Sequence, residues 1–227
     1  MCRPPKVLRV PIMLTLEAVY DGIPGEEEVT QGVWSLKRGR AGGKSDMKVE
    51  DLKEGLREGS RDTKPVTHRW QLLVRLIQKT FRDGAVPEEV AWATMVFLPK
   101  GKAVYLGIGI TKVVWKVCTT VVNCRLKRSV TLHDALHGFR SGRFTGIATL
   151  ESKLVHQLEG IAHEPLFQVF LDMRKAYDSL YRGRFMEIIW VCGMGQRTAR
   201  LISHHWDKRM FILKAKMFLG TPFIAER

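Results

Sequence analysis

Between residues 67 and 82 the apolar side chains recur at helical spacing. Trp70, Leu73, Val74, Ile77 and Phe81 fall on one stripe, with Arg69, Arg75, Lys79 and Arg82 largely elsewhere on the wheel. A stripe of this kind suits a domain helix that buries its apolar face in a core. The same basic amphipathic pattern also serves helices that dock on membranes or calmodulin-like grooves. Shorter helices are expected at residues 26–36, 49–57, 148–159, 183–192 and 196–207. The first opens on Glu26, Glu27 and Glu28, which suit the positive end of a helix dipole. Strands are expected at 93–98, 166–172 and 210–218, while the Val-rich stretch 111–127 reads as a helix or a strand–helix mixture. Strands and helices mix without strict βαβ regularity, so the expected fold class is α+β.

The chain has 227 residues, room for one large domain or two small ones and for a real core. With 45% hydrophobic and 26% charged residues it is too apolar for wholesale disorder. No run approaches the roughly 18 apolar residues of a membrane span. The basic opening is interrupted by Pro11 and Glu17 and offers no clean cleavage site, so no signal peptide is expected. Cys2, Cys118, Cys124 and Cys192 are scattered, which fits a reducing intracellular compartment rather than a disulfide framework. The net charge of +14 favours a polyanionic partner, nucleic acid first, because neutralised phosphates release their counterions.

The most informative segment is FQVFLDMRKAYDSL, residues 167–180. On a strand, Gln168, Phe170 and Asp172 share one face, and Phe167, Val169 and Leu171 share the other, which suits burial. A carboxylate at the end of a buried strand can hold a hard cation such as Mg²⁺; equally, Asp172 can simply end the strand and start a turn. Asp178 stands where it can cap a following helix. Three other patterns carry no chemistry. GRAGGKS at 39–45 has the wrong spacing for a phosphate-binding Walker loop. Cys118, Cys124, His133 and His137 have the wrong gaps for a zinc finger. His204 and His205 lie at a helix end, where the carbonyl dipoles favour histidine.

FLDMRKAYDSL resembles the first palm motif of reverse transcriptases, hydrophobic-x-D-x-x-x-A-F/Y-D. Four further segments resemble the family in the order it uses them. LKRGRAGGKSDMKVEDLK (36–53) is similar to the element that precedes the fingers in non-LTR retrotransposon and group II intron enzymes. VFLPKGKAVYLGIGI (96–110) is similar to the fingers segment L-I-P-K … Y-R-P-I-S-L, and VVNCRLKRSV (121–130) to the helix after it. LHGFRSGRFT (136–145) is similar to Q-x-G-F-R-x-G-R-S-T. The resemblance covers roughly residues 26 to 223.

The resemblance implies a right-hand polymerase. It divides the chain into a poorly organised segment (1–25), a pre-finger element and linker (26–64), fingers (65–160) and a partial palm (161–227). It implies RNA-templated DNA synthesis, in which a primer 3′-oxygen attacks a dNTP and two Mg²⁺ ions clamp the attacking and leaving oxygens. By the same resemblance Asp172 and the Met173 carbonyl are metal ligands, and Tyr177 lies beneath the incoming sugar. Lys100 and Lys102 meet the triphosphate, and Arg140 and Arg143 the template backbone; a solvated surface cation is the other use of each. The implied partners are an RNA template, a DNA primer and dNTP, with no membrane. The implied location is intracellular, and nuclear in a eukaryotic host.

The chain also departs from the pattern. Leu106 stands where the family has an arginine after the tyrosine, and Phe144 where it has a small residue. A leucine cannot make a charge-assisted phosphate contact. The G-x-x-Q-G element, the x-x-D-D hairpin and the thumb would follow Arg227. The expectation is therefore that this chain alone does not polymerise, as a truncated or decaying copy of a mobile element. The alternative expectation is a non-catalytic RNA-binding or maturase-like protein.

Overall fold

A computed structural model describes residues 15–16, 18–39, 47–59, 68–101, 104–163, 165–173, 176, 179–215 and 218–224. Among these the chain is α+β. The helices are α1 (Glu26–Ser35), α2 (Val49–Gly59), α3 (His68–Asp83), the short α4 (Glu88–Ala91), α5 (Val113–Ser129), α6 (Thr145–Ala162), α7 (Arg182–Val191) and α8 (Gln196–Asp207). The strands β2 (Ala93–Gly101), β3 (Val104–Thr111), β5 (Phe211–Ala215) and β6 (Phe218–Phe223) form one sheet in the order β3-β2-β5-β6. β2 pairs antiparallel with β3, from Ala93 opposite Thr111 to Leu98 opposite Leu106, and parallel with β5. A second ladder joins β1 (Thr15–Leu16) to β4 (Val130–Thr131). Among the described residues no helix is long and apolar enough to cross a membrane.

The stripe of α3 is the centre of the core. Trp70, Leu73, Val74, Ile77 and Phe81 are all buried, against Val29 and Val33 of α1, Val113, Val117, Cys118 and Val121 of α5, and Leu201 of α8. The stretch expected as helix or mixture is helical from Val113 onward, with β3 ending just before it. Burial pushes the Cys118 thiol up to about 12, so it packs as a small apolar group and not as a nucleophile.

Polar side chains from distant segments finish the helix ends. Lys53 of α2 is buried and donates Nζ to the carbonyls of Trp34 at 2.9 Å and Leu36 at 2.5 Å, where the dipole of α1 is negative. Asp21 serves the opposite end of α8. Its carboxylate accepts from the amides of Arg197 and Thr198, both at 2.8 Å, and from the Thr198 hydroxyl at 2.6 Å. Gly195 makes this approach possible, because a Cβ there would overlap the Asp21 side chain, about 2.2 Å from its Cβ and Cγ.

Two expected strands differ in the structure. The stretch expected as one strand over 210–218 holds β5 at Phe211–Ala215, and the antiparallel β6 begins only at Phe218 and runs on to Phe223. The stretch 166–172 is irregular, and its supposed buried face is bare, with Phe167, Val169 and Leu171 exposed by 86%, 78% and 91%. Alternating sequence creates a strand only where a second strand completes the ladder. Among the described residues none lies beside this segment.

Candidate nucleic-acid interface

The β2–β3 hairpin runs on beyond Met95, where the pairing of β2 with β5 ends. Its outer half is exposed, with Phe97, Leu98, Tyr105 and Leu106 all open to solvent. Lys100 lies exposed near its end, while Lys102 lies outside the described residues. Leu106 sits opposite Leu98 and is half-exposed, so a leucine there gains little from burial.

The loop between β4 and α6 is built around its own charges. Arg140 donates Nη1 to the carbonyls of His133 at 2.8 Å and Leu136 at 3.1 Å, and its Nη2 lies 3.6 Å from Asp134. Arg143 donates to the same Asp134 oxygen at 2.8 Å and lies 3.9 Å from Glu151 of α6. His137 meets Glu151 at 2.8 Å. The two arginines are thus brought together, but on Asp134, as braces of the loop. No hydrogen bond or ion pair links either of them to Lys100 or Asp172 among the described residues.

Asp172 and Met173 are exposed on the irregular segment, and Tyr177 and Asp178 lie outside the described residues. One anchor holds the segment to α6: Gln168 meets His156 at 2.6 Å and donates to the Ser152 hydroxyl at 3.0 Å. Among the described residues no three His, Cys, Asp or Glu side chains gather as a metal site. Asp172 and the Met173 carbonyl alone do not complete a Mg²⁺ site, which takes octahedral oxygen coordination.

No model of a known protein family matches the chain, and no curated protein matches it.

Two clefts accompany these surfaces. One, of about 500 Å³, lies between the end of α1, the start of α2, β3 and α5, and is lined by Lys37 and Lys116, with no acidic residue among the described ones. At its border the Gly39 amide donates to Glu50 at 2.6 Å, which holds that carboxyl below its ordinary value, with Arg38 and Lys48 adding to the effect. Gly39 has φ 69°, a conformation that glycine adopts without strain. The other cleft, also about 500 Å³, is floored by Arg125.

Arg125 is a buried polar residue that sequence reading missed. It lies on the same stripe of α5 as Val114, Cys118 and Val121, and that position is the signal: a cation on an apolar face needs partners. It has them in Glu28, bidentate at 2.6 and 2.7 Å, and in the carbonyls of Gly22 at 2.8 Å and Tyr20 at 3.3 Å. The rings of Tyr20 and Phe81 flank the guanidinium.

Proposed function

We propose that this chain carries the fingers and the opening part of the palm of an RNA-directed DNA polymerase of the non-LTR retrotransposon and group II intron type. The observation that carries this reading is the order of the five motifs along residues 36–180, ending in FLDMRKAYDSL. The reading is supported by an antiparallel hairpin over the fingers segment, followed at once by a long helix, and by a net charge of +14 suited to a nucleic-acid partner. In this reading Asp172 is one of the carboxylates that hold Mg²⁺, and Tyr177 lies under the sugar of the incoming dNTP. Lys100 and Lys102 meet the triphosphate.

The test is primer extension by a polypeptide in which this chain continues through a G-x-x-Q-G and an x-x-D-D segment. Asp172→Ala is expected to abolish dNTP incorporation and to leave primer–template affinity nearly intact, because the residue serves the metals and not the groove. Loss of both together would overturn the role given to Asp172.

Leu106 favours a second reading, a non-catalytic RNA-binding or maturase-like protein. It removes a phosphate contact at a half-exposed position where leucine gains little from burial in return. That reading expects selective binding of one structured RNA over bulk RNA, with no incorporation in the longer polypeptide.

A further inference from the structure

With Arg140 and Arg143 turned inward onto Asp134 and two loop carbonyls, the most exposed large apolar side chain of their loop, among the described residues, is Phe139. Its ring is 92% exposed, and its backbone sits at φ 59°, in the left-handed region that side chains other than Gly, Asn and Asp rarely occupy. Phenylalanine has no polar atom to offset that strain through a local hydrogen bond. The turn closes the loop, but a phenylalanine at its left-handed position buries almost nothing in return. Strain held without a packing reward points to a contact made with something else.

We propose that Phe139 is a stacking platform for an unpaired base of single-stranded RNA, an inference that rests on the template-binding reading above. A flat exposed ring stacks on the face of any base, and the chain's net charge of +14 supplies the general attraction for the phosphates around it. The arginines hold the ring in place: they fix the loop that carries it, and Glu151 fixes that loop to α6 through His137. The same positive charge favours a nucleic-acid partner over an apolar protein surface.

The test compares binding of a fluorescein-labelled, mixed-sequence single-stranded RNA with binding of the same RNA as a blunt duplex. Phe139→Gly suits the left-handed backbone, so its Tm should equal or exceed that of the unaltered chain. Its affinity for the single strand should fall at least about fivefold, the loss of one stacked base, with duplex affinity unchanged. Phe139→Leu keeps apolar bulk without the ring and should be weakened as the glycine variant is. Phe139→Trp should bind at least as tightly as the unaltered chain and show additional fluorescence quenching when RNA is added. Equal single-strand affinity across all four proteins would overturn this inference and leave the polymerase reading standing. No single-strand binding by the unaltered chain would overturn both. A change in self-association on Phe139→Gly, with RNA affinity unchanged, would assign the ring to a protein contact and overturn it too.

Discussion

Helices α3 and α6 are close in length, 16 and 18 residues, yet they are used in opposite ways. α3 buries its entire apolar stripe. α6 carries a comparable one in Leu150, Leu154, Val155, Leu158 and Ile161, and none of its residues is buried. The irregular segment beside it is bare as well, from Phe167 to Leu171, and so are Ile188, Trp190 and Val191 of α7. Hydrogen bonds link α6 to its surroundings, through Ser152, His156 and Glu151. An apolar stripe is therefore an offer of about 1.5–3 kcal/mol per large side chain, realised only where another element covers it. Residues around α3 have that cover from α1, α5 and α8. The region holding the proposed catalytic motif does not, among the described residues.

The largest expected effect sharpens this contrast with two arginines. Arg125→Leu leaves the Glu28 carboxylate and the Tyr20 and Gly22 carbonyls without their donor in a buried setting, and should cost about 3–5 kcal/mol. Arg143→Leu removes ion pairs whose acidic partners are largely exposed, and should cost about 0–1 kcal/mol. Urea denaturation of both variants measures the difference. Equal costs would mean that the loop before α6 is as firmly committed to the fold as the α1–α5 contact, and the distinction between the two regions would fail.

A pH titration probes the packed side alone. His205 is buried and stacked on Trp115, with ring centroids 3.7 Å apart, and neither ring nitrogen has a hydrogen-bond partner among the described residues. Burial, with the nearby charges of Arg209 and His204, pushes its pKa down to about 3. An unfolded histidine titrates near 6.5, so below that value the unfolded chain takes the proton that the folded chain refuses. Stability is unaffected by this group above about pH 6.5. It is lost as pH falls from there towards 3, by up to about 1.4 kcal/mol per pH unit. His205→Phe keeps a stacked ring without the titration. Its stability advantage over the unaltered chain should be flat above pH 7 and should grow steadily below 6.5. Parallel pH curves for the two proteins would show that His205 can be protonated in place.

Patterns within a single element were legible in the sequence, and partnerships between elements were not. The stripe of α3 could be read because 3.6-residue periodicity is local to it. The strand expected at 166–172 failed for the converse reason: alternation describes one strand and names no neighbour. β3 was hidden by Gly107 and Gly109, residues depleted in strands. They are tolerated because neighbours lie over them: a Cβ on Gly109 would meet the Phe211 ring at 3.1 Å, and one on Gly107 would meet the Met95 sulfur at 3.2 Å. The capping roles of Asp21 and Lys53 span 176 and 19 residues of chain, and no spacing rule reaches such pairs. Among the proposed site residues, Arg140 and Arg143 read as free cations because a sequence does not show which acid a guanidinium will find. Asp172 was legible as a motif, whereas its bare surroundings depend on what packs beside it.

The smallest expected effect is the sharpest test of the opening contrast. On α6, Leu154→Ser and Leu158→Ser replace side chains that are about half exposed or more, so each should change stability by no more than about 0.5 kcal/mol. On α3, Leu73→Ala removes a buried side chain from the middle of the core and should cost about 2–5 kcal/mol. Sedimentation run beside the denaturation curves separates two causes that would otherwise look alike. Serine variants that leave stability unchanged and reduce self-association would show an α6 stripe that is bare in the monomer and sticky between molecules. Serine variants that cost as much as Leu73→Ala would show the stripe already covered within one chain. In that case α3 and α6 would share one environment, and the bare region would have a core of its own.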